Sequence, residues 1–99
     1  MGLRHVVMFR FVEGTTAEQR QAISTALGGL PGAIPEIAAY SFGDDAGINE
    51  GNWDFAVVAD FASPEDYLVY RDHPVHRAAI DAHIAPVVAV RAAVQIVTG

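Results

Sequence analysis

The stretch that decides the fold is W-D-F-A-V-V-A-D-F, residues 53–61, in which Trp53, Phe55, Val57 and Phe61 alternate with Asp54, Ala56, Val58 and Asp60. A period of two sends successive side chains to opposite faces of a β-strand. This strand therefore has one bulky, aromatic face and one face of smaller and acidic residues. Directly after it, Ser63-Pro64-Glu65-Asp66 supplies an N-cap, a proline at the first helical position and two carboxylates beside the positive end of the helix dipole. The helix that follows carries Tyr67 and Tyr70.

Toward the N-terminus, Leu3 to Val12 is rich in β-branched and aromatic residues and stops at the turn-like Glu13-Gly14, so it reads as a strand. Set antiparallel to residues 53–61, it brings Arg4 opposite Asp60, Val6 opposite Val58, Met8 opposite Ala56 and Arg10 opposite Asp54 on one face. The other face sets His5 opposite Ala59, Val7 opposite Val57, Phe9 opposite Phe55 and Phe11 opposite Trp53. The second set is the bulkier, and it is assigned to the core.

Between these strands, Thr15 and Thr16 each precede an acidic or amide residue by three positions, the capping-box spacing, and a helix to about Leu27 buries Ile23, Ala26, Leu27 and Leu30. Gly28-Gly29 and Pro31-Gly32 end it, LPGAIPEI is a turn or irregular helical connection, Ala38 to Phe42 is a short strand, and residues 44–52 form a loop. Beyond Tyr70, His73-Pro74 breaks the second helix because proline disfavours helical geometry in the preceding residue. A new helical segment starts at Pro74, with His76, Ile80 and Ile84 on one face, and Pro86 stops it before a last strand, Val87 to Val97. The order βαββαβ predicts an α+β, ferredoxin-like single domain over residues 1–99, a four-stranded antiparallel sheet with its helices on one face.

Such a sheet has a bare side. The face carrying Val6, Met8, Ala56 and Val58, extended by Val88, Val90, Val94 and Ile96, is too apolar to leave in water. The composition agrees: 52% of residues are hydrophobic and 18% charged, against a usual quarter, so a second copy is expected on this face, closing two sheets into a dimeric α/β barrel. All six basic residues are arginine, and twelve carboxylates bring the formal charge to -6, which argues against nucleic acid and anionic membranes as partners. There is no cysteine, so disulfides, thiolate nucleophiles and sulfur ligation of metals are excluded. The N-terminal stretch reads as neither a signal peptide nor a membrane span, and the expected location is cytoplasmic.

The chemistry-bearing residues concentrate in Y-R-D-H-P-V-H, residues 70–76. A histidine titrating near neutrality can take a proton from carbon next to a carbonyl, while a tyrosine hydroxyl stabilises the enolate oxygen. Tyr70 and His76 would meet across the break at His73-Pro74, and His5 would approach from the strand beneath. Phe9, Trp53 and Phe55 would wall the pocket, with Tyr67, His73 and Ile80 at its edges. Each has a plainer role: Tyr70 as core filler, His73 as a cap, His76 and His5 as hydrogen-bonded interior residues. His73 and His76 at spacing three, with Asp72 and His83 near, lack a convincing third metal ligand, and Asp44, Asp45, Asn49 and Glu50 lack the alternate spacing of a calcium loop. No phosphate-binding or dinucleotide glycine motif and no serine nucleophile motif occurs, so neither cofactor nor metal is expected.

The segments HVVMFRF, LPGAIPEI, DFAVVADFASPEDYLVY and above all YRDHPVH, together spanning nearly the whole chain, resemble the stress-responsive dimeric α/β-barrel (Dabb) family. The resemblance implies the dimeric ferredoxin-like barrel already reached from periodicity. One branch of that family, the plant olivetolic acid cyclase, closes a linear polyketide by an intramolecular aldol reaction without a cofactor. The catalytic tyrosine and histidine of that branch fall on Tyr70 and His76, and a pocket histidine falls on His5, while a further pocket histidine is replaced by Phe55. The resemblance also implies magnesium held by backbone groups near Pro31 to Ile37 as a feature of some plant members. Two main functions remain open. One is a cofactor-independent, polyketide-cyclase-like enzyme acting on a small hydrophobic carbonyl or aromatic compound; the other is a non-catalytic stress-response or ligand-binding dimer. A cofactor-free oxygenase is the third.

Overall fold

Strand β1 (Gly2–Phe11) is an inner strand of a sheet with β2 (Ile37–Asp44), β3 (Phe55–Phe61) and β4 (Val88–Thr98), in the order β2-β3-β1-β4, in the computed structural model, which describes residues 1–99. All neighbours are antiparallel. The β1–β3 register runs from Leu3 opposite Phe61 to Phe9 opposite Phe55, with Arg4 on Asp60 and His5 on Ala59, as the alternation predicts. On the helix side, Leu3, His5, Val7 and Phe9 face Phe61, Ala59, Val57 and Phe55, and all are buried.

Helix α1 (Ala17–Gly28) opens with a capping box in which the Gln19 amide donates to Thr16 Oγ1 (3.1 Å) and the Thr16 amide donates to Gln19 Oε1 (2.8 Å). Thr15 is not part of it; its hydroxyl donates to the Val12 carbonyl. A single turn, α2 (Leu30–Ala33), follows with Pro31 in its first turn. Ile23, Leu27, Leu30 and Ile34 are almost wholly buried against the sheet. Helix α3 (Pro64–Asp72) is capped by Ser63, whose Oγ accepts from the Asp66 amide at 3.2 Å. Helix α4 (Pro74–Ala79) leads into a π-helical turn, Ile80–Ile84, closed by the Ala85 amide on the Ile80 carbonyl at 2.8 Å. No helix is long and apolar enough to cross a membrane.

Three sequence expectations are corrected. Trp53 and Asp54 precede β3, so the pairs Arg10–Asp54 and Phe11–Trp53 do not form in the ladder. Instead, the Asp54 carboxylate accepts from the Phe11 amide (2.8 Å), while Arg10 lies over the Trp53 ring (5.1 Å) and donates to the Gly51 carbonyl. Val88 does not join the outer face: a register shift between Arg10 and Phe11 sets it opposite Phe11, where it packs against the core. The segment from Pro74 is not one α-helix. Residues four apart drift by about 40° per step on an α-helix, and the wider π turn takes that drift back, so His76, Ile80 and Ile84 all face the same cavity.

The outer face carries Val6, Met8, Ala56 and Val58, continued on β4 by Val90, Ala92, Val94 and Ile96. Met8, Val90, Val94 and Ile96 are exposed in the single chain. A bidentate contact of Arg4 with Asp60, at 2.7 and 3.1 Å, edges this apolar strip.

The inner face is where stability is concentrated. Phe55 is 2% exposed and sits among Phe9, Phe11 and Phe42. Phe55→Ala should lower the unfolding free energy by about 3–5 kcal/mol in denaturant titrations at fixed protein concentration. Leu68→Ala, on the exposed side of α3, should change it by less than about 0.5 kcal/mol. Equal effects would place the core elsewhere.

Candidate active site

The site is built on one inward-facing row of the sheet: Tyr40, Ala59, His5 and Gln95, contributed in order by β2, β3, β1 and β4. Ala59, fully buried and small, lies between two larger side chains, His5 and Tyr40. The Gln95 amide nitrogen donates to His5 Nδ1 at 2.9 Å, which leaves the ring proton of the neutral imidazole on Nε2. Burial, reinforced by Arg91 and then His76, pushes the His5 pKa down to about 4.

The upper wall depends on the helix break. His73, just before Pro74, is extended (φ -61°, ψ 133°), and its Nδ1 accepts from the Val75 amide at 3.1 Å. Its ring therefore caps α4. The chain turns there and brings the rings of Tyr70 and His76 together, with centroids 4.1 Å apart and planes inclined by 31°. His76 Nδ1 lies 3.0 Å from the Arg71 carbonyl, to which it donates, so Nε2 keeps its lone pair. Burial lowers the His76 pKa, opposed by that hydrogen bond. Both imidazoles are neutral at pH 7.

The hydroxyls of Tyr40 and Tyr70 are 2.9 Å apart. One hydroxyl hydrogen occupies that bond, and the other remains free to donate. Burial raises both pKa values above the ordinary tyrosine range, so the pair supplies neutral donors. Tyr67 closes the row from α3, its ring 5.0 Å from His5 and 5.6 Å from Phe61.

His5, Tyr40, Tyr67, Tyr70 and His76 line a cavity of about 380 Å³ between sheet and helices. Its floor includes His5, Val7 and Phe9; Leu27, Ile80 and Ile84 supply aliphatic walls; Arg71, Arg77 and Arg91 complete the lining. Thus Tyr70, His76 and His5 meet in one space, with Phe9, Tyr67 and Ile80 around them. Three residues expected there lie elsewhere. Trp53 precedes β3 and packs with Arg10; Phe55 fills the core next to Phe42; His73 is the cap. Conversely, sequence reading passed over Tyr40, Gln95 and the three arginines. A signal existed for two of them: Arg91 and Gln95 occur at a spacing of four within an otherwise apolar strand, hence on one face.

The chain matches the family model described as the stress responsive A/B barrel domain over residues 3–97. Among solved structures it is similar to a dimeric ferredoxin-like protein of unknown function from Thermobifida fusca, at 49% identity and a TM-score of 0.92, covering 99% of this chain and 92% of that one. It is also similar to a Dabb family protein with a ferredoxin-like fold from Mesorhizobium loti, at 20% identity, TM-score 0.81, covering 98% and 96%. A hydroxynitrile lyase from Passiflora edulis shares the fold at 20% identity and a TM-score of 0.84, covering 99% and 94%. None of the curated proteins compared with it matches the chain.

The depressed His5 pKa carries a stability signature. The unfolded chain takes up this proton near the ordinary value of 6.5, the folded chain only near 4. Between the two, the unfolded state binds more protons, so the contribution is complete above the first value and is lost as pH falls toward the second. The wild-type melting temperature should therefore drop across this window. His5→Asn should make that drop shallower without removing it, since His76 is depressed in the same direction. An unchanged slope in the variant would mean that His5 is not buried as a neutral ring.

Proposed function

The chain belongs to the stress responsive A/B barrel domain family, and from that we propose that it is a homodimeric, cofactor-independent enzyme of the polyketide-cyclase type, catalysing proton transfer next to a carbonyl group. The observation that carries this reading is the gathering, in the lining of one largely apolar cavity, of His76 with a free imidazole lone pair and of neutral donors on the Tyr40–Tyr70 pair and His5. His76 Nε2 accepts a proton from the carbon between or beside carbonyl groups. The free tyrosine hydroxyl and His5 Nε2–H donate hydrogen bonds to the enolate oxygen that develops. In an aldol closure, the enolate carbon then bonds to a second carbonyl carbon of the same molecule, and the proton on His76 passes to the alkoxide formed. No atom or electron is gained or lost in that ring closure, so no redox partner is needed.

The dimeric state follows the description of the Thermobifida fusca relative as dimeric and the apolar outer strip of Val6, Met8, Ala56 and Val58. Packing two such strips together removes exposed valine, isoleucine and methionine side chains from water. The site lies on the opposite side of the sheet, so each protomer keeps its own cavity.

A direct assay is exchange of α-protons of a phenyl alkyl ketone into D2O, followed by NMR. Wild type should accelerate exchange, His76→Ala should reduce that acceleration by about 10²–10⁴-fold, and Tyr70→Phe should reduce it while leaving the far-ultraviolet spectrum unchanged. The rate should rise with pH through the His76 pKa, which lies below 6.5, and level off above it. Binding of the ketone without exchange in any variant would favour the ligand-binding dimer instead. Sedimentation should give twice 10.5 kDa for wild type, and Met8→Glu should shift the species toward the monomer.

A further inference from the structure

Half of the arginines of an acidic chain line one cavity. Of six, Arg4 is bound to Asp60, Arg10 to the Gly51 carbonyl and the Trp53 face, and Arg20 lies 3.6 Å from Asp44. The other three, Arg71, Arg77 and Arg91, line the space above His5, Tyr70 and His76. Arg71 is held by its neighbour Asp72, whereas Arg77 and Arg91 have no side-chain or backbone acceptor. No aspartate or glutamate lines this cavity, although the chain has twelve.

Arg91 is set there by register: it stands opposite the buried, inward-facing Phe9. Arg77 follows His76 directly on α4. Arg91 lines the same cavity as His5, His76 and Tyr70. With both imidazoles neutral and no carboxylate in the lining, Arg77 and Arg91 are the charged groups of this concave space that lack an ion-pair partner within 4.0 Å, and they stand at its exposed rim. Guanidinium matches a planar carboxylate in a bidentate arrangement.

We propose that the cavity takes a small carboxylic acid, an aromatic or enolisable keto acid, with its carboxylate on Arg77 and Arg91 and its apolar body against Val7, Phe9, Ile80 and Ile84. This names the substrate class for the proton-transfer reading and rests on it: the anchored carboxylate would hold the adjacent carbon chain toward His76.

The test is isothermal titration at low salt with 4-propylbenzoate and its neutral isostere, 4-propylbenzamide. The benzoate should bind wild type about tenfold more tightly than the amide. Arg91→Gln and Arg77→Gln should each remove most of that preference while leaving amide binding in place. Arg20→Gln, which removes the same charge outside the cavity, should keep the preference. All four proteins should share one far-ultraviolet spectrum, because Arg77 and Arg91 are exposed and Arg20 is only half-buried. Equal binding of benzoate and amide to wild type, or equal losses in all three variants, would overturn the carboxylate site while leaving the proton-transfer reading intact. Absence of binding by either compound would overturn both, since the cavity would then be closed to ligands.

Discussion

The antiparallel register of β1 on β3 is the constraint on which everything else in this molecule depends. It sets His5 against Ala59 and Arg4 against Asp60, and a slip of one residue would exchange the two faces of an inner strand. His5, Val7 and Phe9 would then meet water or a partner, and Arg4 and Met8 would be driven under the helices. The cost of burying an unpaired guanidinium is prohibitive compared with that of a hydrogen-bonded neutral imidazole. The same register makes Ala59 the small residue in the row Tyr40–Ala59–His5–Gln95. A larger side chain at that fully buried point would have to displace its neighbours.

The second half of the site comes from an interruption. Proline at position 74 ends α3 and starts α4, and the turn between them packs His76 against Tyr70. The freed carbonyl of Arg71, near the end of α3, is satisfied by the His76 ring nitrogen, so a defect in the helix is used to fix a tautomer. The π turn that follows keeps Ile80 and Ile84 on the cavity side, an example of local irregularity beside a chemically equipped space. The calcium-like loop is likewise explained by its own geometry: Asp45 accepts from Gly47 and Asn52 and organises the turn.

Charge is distributed unevenly in a way that composition conceals. A chain with formal charge -6 keeps its carboxylates out of one cavity and places Arg71, Arg77 and Arg91 around it. The opposite sheet face is an apolar strip edged by an Arg4–Asp60 ion pair. The two faces of one sheet thus carry different physics: one is suited to association through burial of apolar area, the other to holding a polar group in a confined space.

By itself, the sequence determined the elements and their order. Period-two alternation marked β1 and β3, capping at Thr16 and Ser63 marked where α1 and α3 begin, and Pro74 marked the break. These are local signals, because backbone conformation responds to residues within a few positions. It also paired β1 with β3, since two alternating faces match in one register. Only the tertiary structure decided who shares the cavity. Tyr40 and Arg91 reach it, and Gln95 reaches His5, through the pairings of β2 with β3 and β4 with β1, which join distant parts of the chain. The bulge that turns Val88 inward, and the late start of β3 that leaves Trp53 with Arg10, depend on how strands end against one another. No hydrophobic period encodes a strand's last pair, because the ladder is closed by contacts that exist only once the sheet has formed.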